Sequence, residues 1–82
     1  MTLDTQARMV RWRCNRGMLE LDLILIPFSE NHFEKLDADK KAEFIELLTH
    51  EDPTLFAWLM GHEEVSEAMK PIVEIVNRTK RF

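Results

Sequence analysis

The chain has 82 residues, of which 45% are hydrophobic and 32% are charged, and its formal net charge is −4. This length permits one domain, and the mixture of apolar and charged residues excludes a disordered chain. The negative total argues against nucleic acid as the main partner, because phosphate binding requires an excess of basic groups. Cys14 is the only cysteine, so the core has no internal disulfide, which is typical of a reducing compartment.

The first helix is predicted over about residues 4–14. Its buried face is an apolar stripe formed by Leu3, Ala7, Val10 and Cys14. The position of Cys14 on this stripe predicts a buried, inert thiol. Another side carries Arg8, Trp12 and Arg16 at four-residue steps, and the basic, aromatic residues of the helix as a whole are Arg8, Arg11, Trp12 and Arg13. These residues form either a nucleic-acid patch, a surface for an acidic protein or a solvated face with Trp12 partly packed. The solvated face is the favoured interpretation.

The second helix is predicted over about residues 17–33. Its start alternates in polarity like a strand, but the chain has no second strand-like run with which it can pair. Residues 18–28 are apolar almost all round, so this helix is predicted to be the most buried element. Pro27 lies inside it and is predicted to kink or break the helix near residues 23–27.

The third and fourth helices are indicated by their terminal residues. The third is predicted over residues 38–49, with Asp37 as its N-cap. For the fourth, Asp52 is the predicted N-cap, Pro53 takes the first helical position and Gly61 ends the helix.

A fifth helix is predicted over residues 66–79 from an apolar repeat formed by Val65, Met69, Ile72 and Val76. Together the segments predict an all-α fold, a small five-helix bundle. We expect a single domain over residues 1–82, with an ordered core at about residues 5–79 and frayed final residues. The start of the chain has no apolar signal region, and no run is long enough to cross a bilayer. We therefore expect a soluble, cytoplasmic protein.

The connection between the first two helices carries the most informative group of residues, Arg16-Gly17-x-x-Glu20-x-Asp22. If the second helix begins at this motif, the spacings of three and four residues place Arg16, Gly17 and Glu20 on one helical face. The missing side chain at Gly17 would then let a partner's backbone approach between a guanidinium and a carboxylate. The alternative is a glycine that separates two helices beside a surface ion pair of Arg16 and Glu20. Spacing alone favours the alternative.

Other kinds of site are not supported by the pattern. The three histidines and Cys14 lack the spacing of metal ligands, so no metal site is predicted. With only Gly17 and Gly61, the chain has too few glycines for a dinucleotide-binding loop. No nucleophile and base are arranged as in an enzyme, so we expect a protein that is not an enzyme.

Two separated segments of the chain resemble a single protein family. The first is Trp12-Arg13-Cys14-Asn15-Arg16-Gly17-Met18-Leu19-Glu20-Leu21-Asp22, followed by Pro27-Phe28, and the second is Asp52-Pro53-x-Leu55-Phe56-x-Trp58-Leu59-Met60. They are similar to the SdhE family of FAD assembly factors, also called YgfY or CptB-like, whose mitochondrial relative is the succinate dehydrogenase assembly factor. The family's hallmark is RGxxE, usually RGMxELD, and the resemblance covers about residues 5–79.

The resemblance implies a function. Members of the family are five-helix proteins that bind a client, the flavoprotein subunit of succinate dehydrogenase, and in some bacteria that of fumarate reductase. They promote covalent attachment of FAD to a histidine of the client. We expect the FAD to belong to the client and not to be bound stably by this chain. We also expect a monomer, with a dimer as the open alternative. The alternative function is an antitoxin-type, CptB-like partner of a membrane toxin.

The resemblance also assigns residues. The functional motif that it places on the client-binding surface consists of Arg16, Gly17 and Glu20. The secondary candidates for that surface, which lie beside the motif, are Arg8, Trp12 and Asp22.

Overall fold

Helices supply all the regular secondary structure between residues 3 and 80, the part of the chain that the computed structural model describes; side chains are described from residue 5. The five α-helices are α1 (Leu3–Arg13), α2 (Leu19–Asn31), α3 (Ala38–Leu47), α4 (Asp52–Met60) and α5 (Lys70–Thr79). A 3-10 helix, Phe33–Lys35, follows α2. The predicted all-α class and five-helix bundle are confirmed. The side chain of Leu3 and the final residues Arg81 and Phe82 lie outside the described part.

The core is built around α2, which contacts α1, the 3-10 helix, α4 and α5. Its buried residues are Leu21, Ile24, Leu25, Phe28 and Ser29. From α1, Val10 and Cys14 pack into the same core, as their stripe predicts. The prediction that α2 is the most buried helix is confirmed, but one of its sides faces solvent, where Leu19 is 68% exposed and Leu23 is 53% exposed. These two residues are one helical turn apart on a face that no other described helix covers.

Pro27 does not break α2, which continues without interruption to Asn31. Proline has no N–H, so it cannot donate the usual hydrogen bond to the carbonyl of Leu23, four residues earlier. Leu23 and Pro27 are both exposed, and at a solvent-facing position water can replace a missing donor. The location of Pro27 on the outer side of α2 explains why the helix tolerates it.

Two predicted N-caps have different outcomes. Asp37 is confirmed, because its Oδ1 accepts a hydrogen bond of 2.8 Å from the backbone N–H of Lys40. Asp52 is not the N-cap of α4: the extended residue before the helix is Glu51, and Asp52 is the first helical residue. The predicted end of α4 is confirmed, since Gly61 adopts a left-handed conformation with φ of 77°.

The fifth helix begins later than its apolar repeat predicts. Residues 66–69 form a turn, closed by a 3.0 Å hydrogen bond from the N–H of Met69 to the carbonyl of Ser66, and α5 starts at Lys70. Pro71 favours this start, because in the first turn of a helix a residue without an N–H removes no hydrogen bond within the helix. Among residues 3–80, no helix combines the length and the hydropathy that crossing a bilayer requires.

Candidate functional site

The motif loop, residues 14–18, connects α1 to α2, and its backbone conformation depends on Gly17. Gly17 has a φ of +80°, in the left-handed region that strains residues with a Cβ. A Cβ placed there would meet no atom within 4 Å, so the restriction comes from the backbone and not from crowding. The following residue, Met18, is extended and caps α2 without a side-chain hydrogen bond. The predicted helical start at Gly17 is therefore wrong: α2 begins at Leu19.

Asp22 fixes the motif loop to the first turns of α2. Its Oδ1 accepts a hydrogen bond of 2.8 Å from the backbone N–H of Arg16. Asp22 is the fourth residue of α2, so its carboxylate lies near the end of the helix where free N–H groups favour negative charge. The side chain of this secondary candidate thus stabilises the loop conformation.

The guanidinium of Arg16 binds the connection between α3 and α4, more than thirty residues along the chain. Its Nε donates to Asp52 Oδ1 at 2.9 Å, and its Nη2 donates to the carbonyl of His50 at 2.7 Å. Its Nη1 donates to the carbonyls of Leu48 at 2.8 Å and Arg13 at 3.1 Å. We call these contacts the Arg16 network. All three guanidinium nitrogens are occupied, and the side chain is only 16% exposed.

The predicted ion pair of Arg16 with Glu20 is therefore wrong, and so is their shared helical face. Four-residue spacing brings two side chains together only inside a helix, and Arg16 precedes the helix that contains Glu20. The partner of Arg16 is Asp52, which begins the second segment of the family resemblance. Both residues stood out in the sequence, but no local rule pairs positions so far apart.

The Arg16 network has favourable electrostatics at both of its ends. Leu48 is the C-cap of α3, and carbonyls at a helix C-terminus lack internal donors and attract cations. Asp52 lies in the first turn of α4, where a carboxylate is stabilised by the helix N-terminus. The ring of His50, between the two helices, packs against Trp58 with 4.9 Å between ring centroids. One arginine therefore satisfies groups at the end of one helix and the start of the next.

The outer side of the motif loop has a different character. Trp12, in the last turn of α1, is 77% exposed, so the prediction that it is partly packed is wrong. Leu19 and Glu20, in the first turn of α2, are also exposed. The side chain of Glu20 makes no hydrogen bond or ion pair with residues in the described part of the chain. We call Trp12, Leu19, Glu20 and the open backbone of Gly17 the exposed motif surface. Arg8, one turn before Trp12, is exposed as well.

Cys14 begins the motif loop on its buried side. Its side chain is fully buried, as predicted, and burial raises the pKa of its thiol from 9.0 to about 12. A hydrogen bond with the Ser29 side chain and the nearby cation of Arg16 lower this pKa by smaller amounts. At neutral pH the thiol is fully protonated, which makes it a poor nucleophile.

These features define a class: a small helical protein in which an internally bonded loop presents apolar and acidic side chains at the surface. The family model described as "Flavinator of succinate dehydrogenase" matches residues 8–80. The match includes the motif loop, the exposed motif surface and all of the Arg16 network. This chain belongs to that family, and the resemblance found in its two sequence segments is confirmed.

Curated relatives agree with the family assignment. The FAD assembly factor SdhE of Legionella pneumophila (strain Lens) is 49% identical over 65 residues, which cover 79% of this chain and 82% of the relative. The protein of the same name from Vibrio vulnificus (strain CMCP6) is 51% identical over 61 residues, 74% of this chain and 70% of the relative. That of Shewanella oneidensis is 57% identical over 54 residues, 66% of each chain.

Proposed function

We propose that this protein is an FAD assembly factor: it binds the flavoprotein subunit of succinate dehydrogenase and promotes covalent attachment of FAD to it. The observation that carries the proposal is the family match over residues 8–80, which includes the complete Arg16-Gly17-x-x-Glu20 motif. The names of the relatives support the same function. Neither the family description nor these names support the antitoxin-type alternative.

The protein contributes positioning, and the bond-forming chemistry stays in the client. Covalent attachment requires a client histidine to be held against the flavin in a reactive geometry. Positioning alone removes a large part of the activation barrier for such a step. A bound partner accelerates the step if it binds the attachment-competent conformation of the client more tightly than other conformations. In this proposal the protein acts as a monomer and is not itself an enzyme. The FAD belongs to the client, and the flavoprotein of fumarate reductase is a second client of the same kind.

The motif residues divide between two tasks. Glu20 contacts the client, because its carboxylate is exposed and has no partner between residues 3 and 80, and Trp12 and Arg8 extend this contact. Arg16 and Asp22 are positioning residues, since their side chains hold the motif loop. Gly17 serves both tasks, because its left-handed backbone shapes the loop and its open side leaves room for the client. Buried hydrogen-bonded groups hold the contact surface in one conformation, which lowers the entropy that binding must overcome.

The direct test is client flavinylation by the Glu20→Ala variant. The purified client apoprotein is incubated with FAD and each variant, denatured, and scored by in-gel flavin fluorescence. We expect Glu20→Ala to slow flavinylation by about ten-fold or more, as loss of a central interface contact does. Glu63→Ala is the matched control, because Glu63 is also exposed and lies outside the motif. Equal rates for Glu20→Ala and the wild type would overturn the assignment of Glu20.

A further inference from the structure

A groove of about 670 Å³ lies beside the exposed side of α2, between α2, the 3-10 helix and the end of α5. Ile24 and Phe28, both buried core residues, line it together with the exposed residues Leu23 and Pro27. Its volume is within the range of about 300–1,000 Å³ that is typical of ligand sites. The groove is outside the motif loop, and nothing in the proposed function so far requires it.

The groove has basic walls in an acidic protein. Lys35 and Lys80 line it, whereas no Asp or Glu of the described residues does. This is notable because the chain has 15 acidic and 11 basic residues. The ammonium of Lys80 is held in place by a 2.6 Å hydrogen bond to the carbonyl of Leu59, and it retains two further N–H donors. Lys35 is exposed and makes no ion pair with the described residues. The charge of the groove therefore favours an anionic occupant.

The edge of the groove also offers a backbone acceptor. Pro27 cannot donate to the carbonyl of Leu23, so this oxygen lacks the N–H that ordinarily binds it within a helix. Leu23 is exposed and lines the groove, so we take its carbonyl as a candidate acceptor for the backbone of an incoming polypeptide. The groove therefore combines apolar side chains, one carbonyl acceptor and two cations. These are the partners required by a peptide segment that has apolar and acidic side chains.

The groove adjoins the exposed motif surface along the outer side of α2. Leu19, Leu23 and Pro27 follow one another at four-residue steps, so they form one line from the first turn of the helix to the groove. Of the large hydrophobic side chains in the described chain, the exposed ones are Trp12, Leu19 and Leu23. A partner bound at Glu20 and Leu19 would therefore also contact Leu23, which lies one helical turn further along α2.

We propose that the groove binds a segment of the flavoprotein client in which apolar residues adjoin an aspartate or glutamate. This inference rests on the proposed function, and it extends the client interface from Glu20 to Lys35 and Lys80. The apolar residues of the segment pack on Leu23 and Pro27, the exposed apolar residues of the groove. Its carboxylate pairs with the two lysines. This pairing adds specificity and fixes the orientation of the segment, which apolar burial alone does not do.

The test maps the occupant of the groove with photo-crosslinking amino acids. A photo-reactive phenylalanine analogue is placed at Leu23, at Glu20 or at the control position Glu63, and each purified protein is irradiated with the client apoprotein. We expect the probe at Leu23 to link to a client peptide that contains Asp or Glu, identified by mass spectrometry. Links from Leu23 only to a second copy of this chain, or no client link from Leu23 while the probe at Glu20 links, would overturn the inference.

A charge reversal tests the lysines independently. We expect Lys35→Glu to weaken client affinity by about ten-fold, with a smaller loss at high salt. Arg78→Glu makes a similar change of charge at an exposed position that does not line the groove, and it should leave the affinity near that of the wild type. If Glu20→Ala slows flavinylation but Lys35→Glu binds normally, the groove inference fails and the proposed function stands. If the wild-type protein neither binds nor flavinylates the client, both fail.

Discussion

Arg16 and Glu20 are four residues apart in one motif, yet they occupy opposite environments. The guanidinium of Arg16 is 16% exposed and bonds to four groups, in α1, α4 and the connection that precedes α4. The carboxylate of Glu20 is exposed and bonds to no described residue. The comparison shows that one short motif combines two environments: its first residue is bonded inside the fold, and its last residue faces solvent, where we propose that the client binds. Variants at the two ends should therefore fail for different reasons, one through stability and the other through binding.

The largest effect is expected when the Arg16 network is removed. Arg16→Ala leaves the Asp52 carboxylate and the carbonyls of Leu48 and His50 without their donor in a partly buried site. Charge-assisted hydrogen bonds each contribute about 1.5–3 kcal/mol, so we expect the free energy of unfolding to fall by about 3 kcal/mol. Urea denaturation measures this change. Arg16→Lys should recover little, because an ammonium cannot reproduce the planar geometry of the guanidinium.

Two controls separate this effect from a loss of charge. Arg13→Ala removes an exposed arginine three residues away and should change stability by less than about 0.5 kcal/mol. The double variant Arg16→Ala with Asp52→Ala should lose less stability than the sum of the two single variants, because both remove the same ion pair. Additive losses would contradict the assignment of Asp52 as the partner of Arg16.

The second effect concerns the backbone of the motif loop. Gly17 and Gly61 have nearly the same left-handed φ, +80° and +77°, and at neither would a Cβ meet an atom within 4 Å. Gly17→Ala and Gly61→Ala should therefore cost similar stability, about 1–2 kcal/mol each. Only Gly17→Ala should also slow client flavinylation, since Gly61 ends α4 and lies outside the motif. Equal flavinylation by the two variants would mean that Gly17 contributes only to stability.

The third effect is confined to binding. Trp12 is 77% exposed, so Trp12→Ala should change the free energy of unfolding by less than about 0.5 kcal/mol. Exposed tryptophans are common anchors of protein interfaces, and we expect client affinity to fall about ten-fold. Isothermal titration with the client apoprotein measures this loss. Unchanged affinity would mean that Trp12 does not contact the client, and that the contact is limited to residues of α2 and the motif loop.

Local sequence patterns are sufficient to predict most of the fold. Apolar periodicity located α1 and α5 and the burial of Val10 and Cys14, and terminal residues located α3 and α4. Capping preferences located Asp37 and Gly61. The errors occur where a second constraint overrides periodicity. The left-handed conformation of Gly17 delays the start of α2, and Pro71 delays the start of α5.

The candidate site was predicted only in part, because its geometry depends on distant contacts. The sequence identified Arg16, Gly17 and Glu20 as a group, but the pairing of Arg16 with Asp52 bridges two segments that no helical spacing relates. The same contact explains the misassigned N-cap, since the carboxylate of Asp52 binds Arg16 and does not cap α4. The exposed line formed by Leu19 and Leu23 was also missed, because an apolar run gives no sign of which side lacks a neighbour.

The smallest effect lies on the buried side of the motif loop, at Cys14. Burial raises the pKa of this thiol from 9.0 to about 12, so the folded protein keeps a proton that the unfolded chain loses above pH 9. The unfolded state then binds fewer protons than the folded state, and the stability contributed by Cys14 decreases as pH rises. We expect a loss of about 1 kcal/mol over the first pH unit above 9. Urea denaturation at pH 8, 9 and 10 measures this loss, and Cys14→Ala should lack this part of the pH dependence. An identical dependence in both proteins would mean that the thiol ionises as easily in the folded state as in the unfolded state, and that the inner side of the loop is open to water.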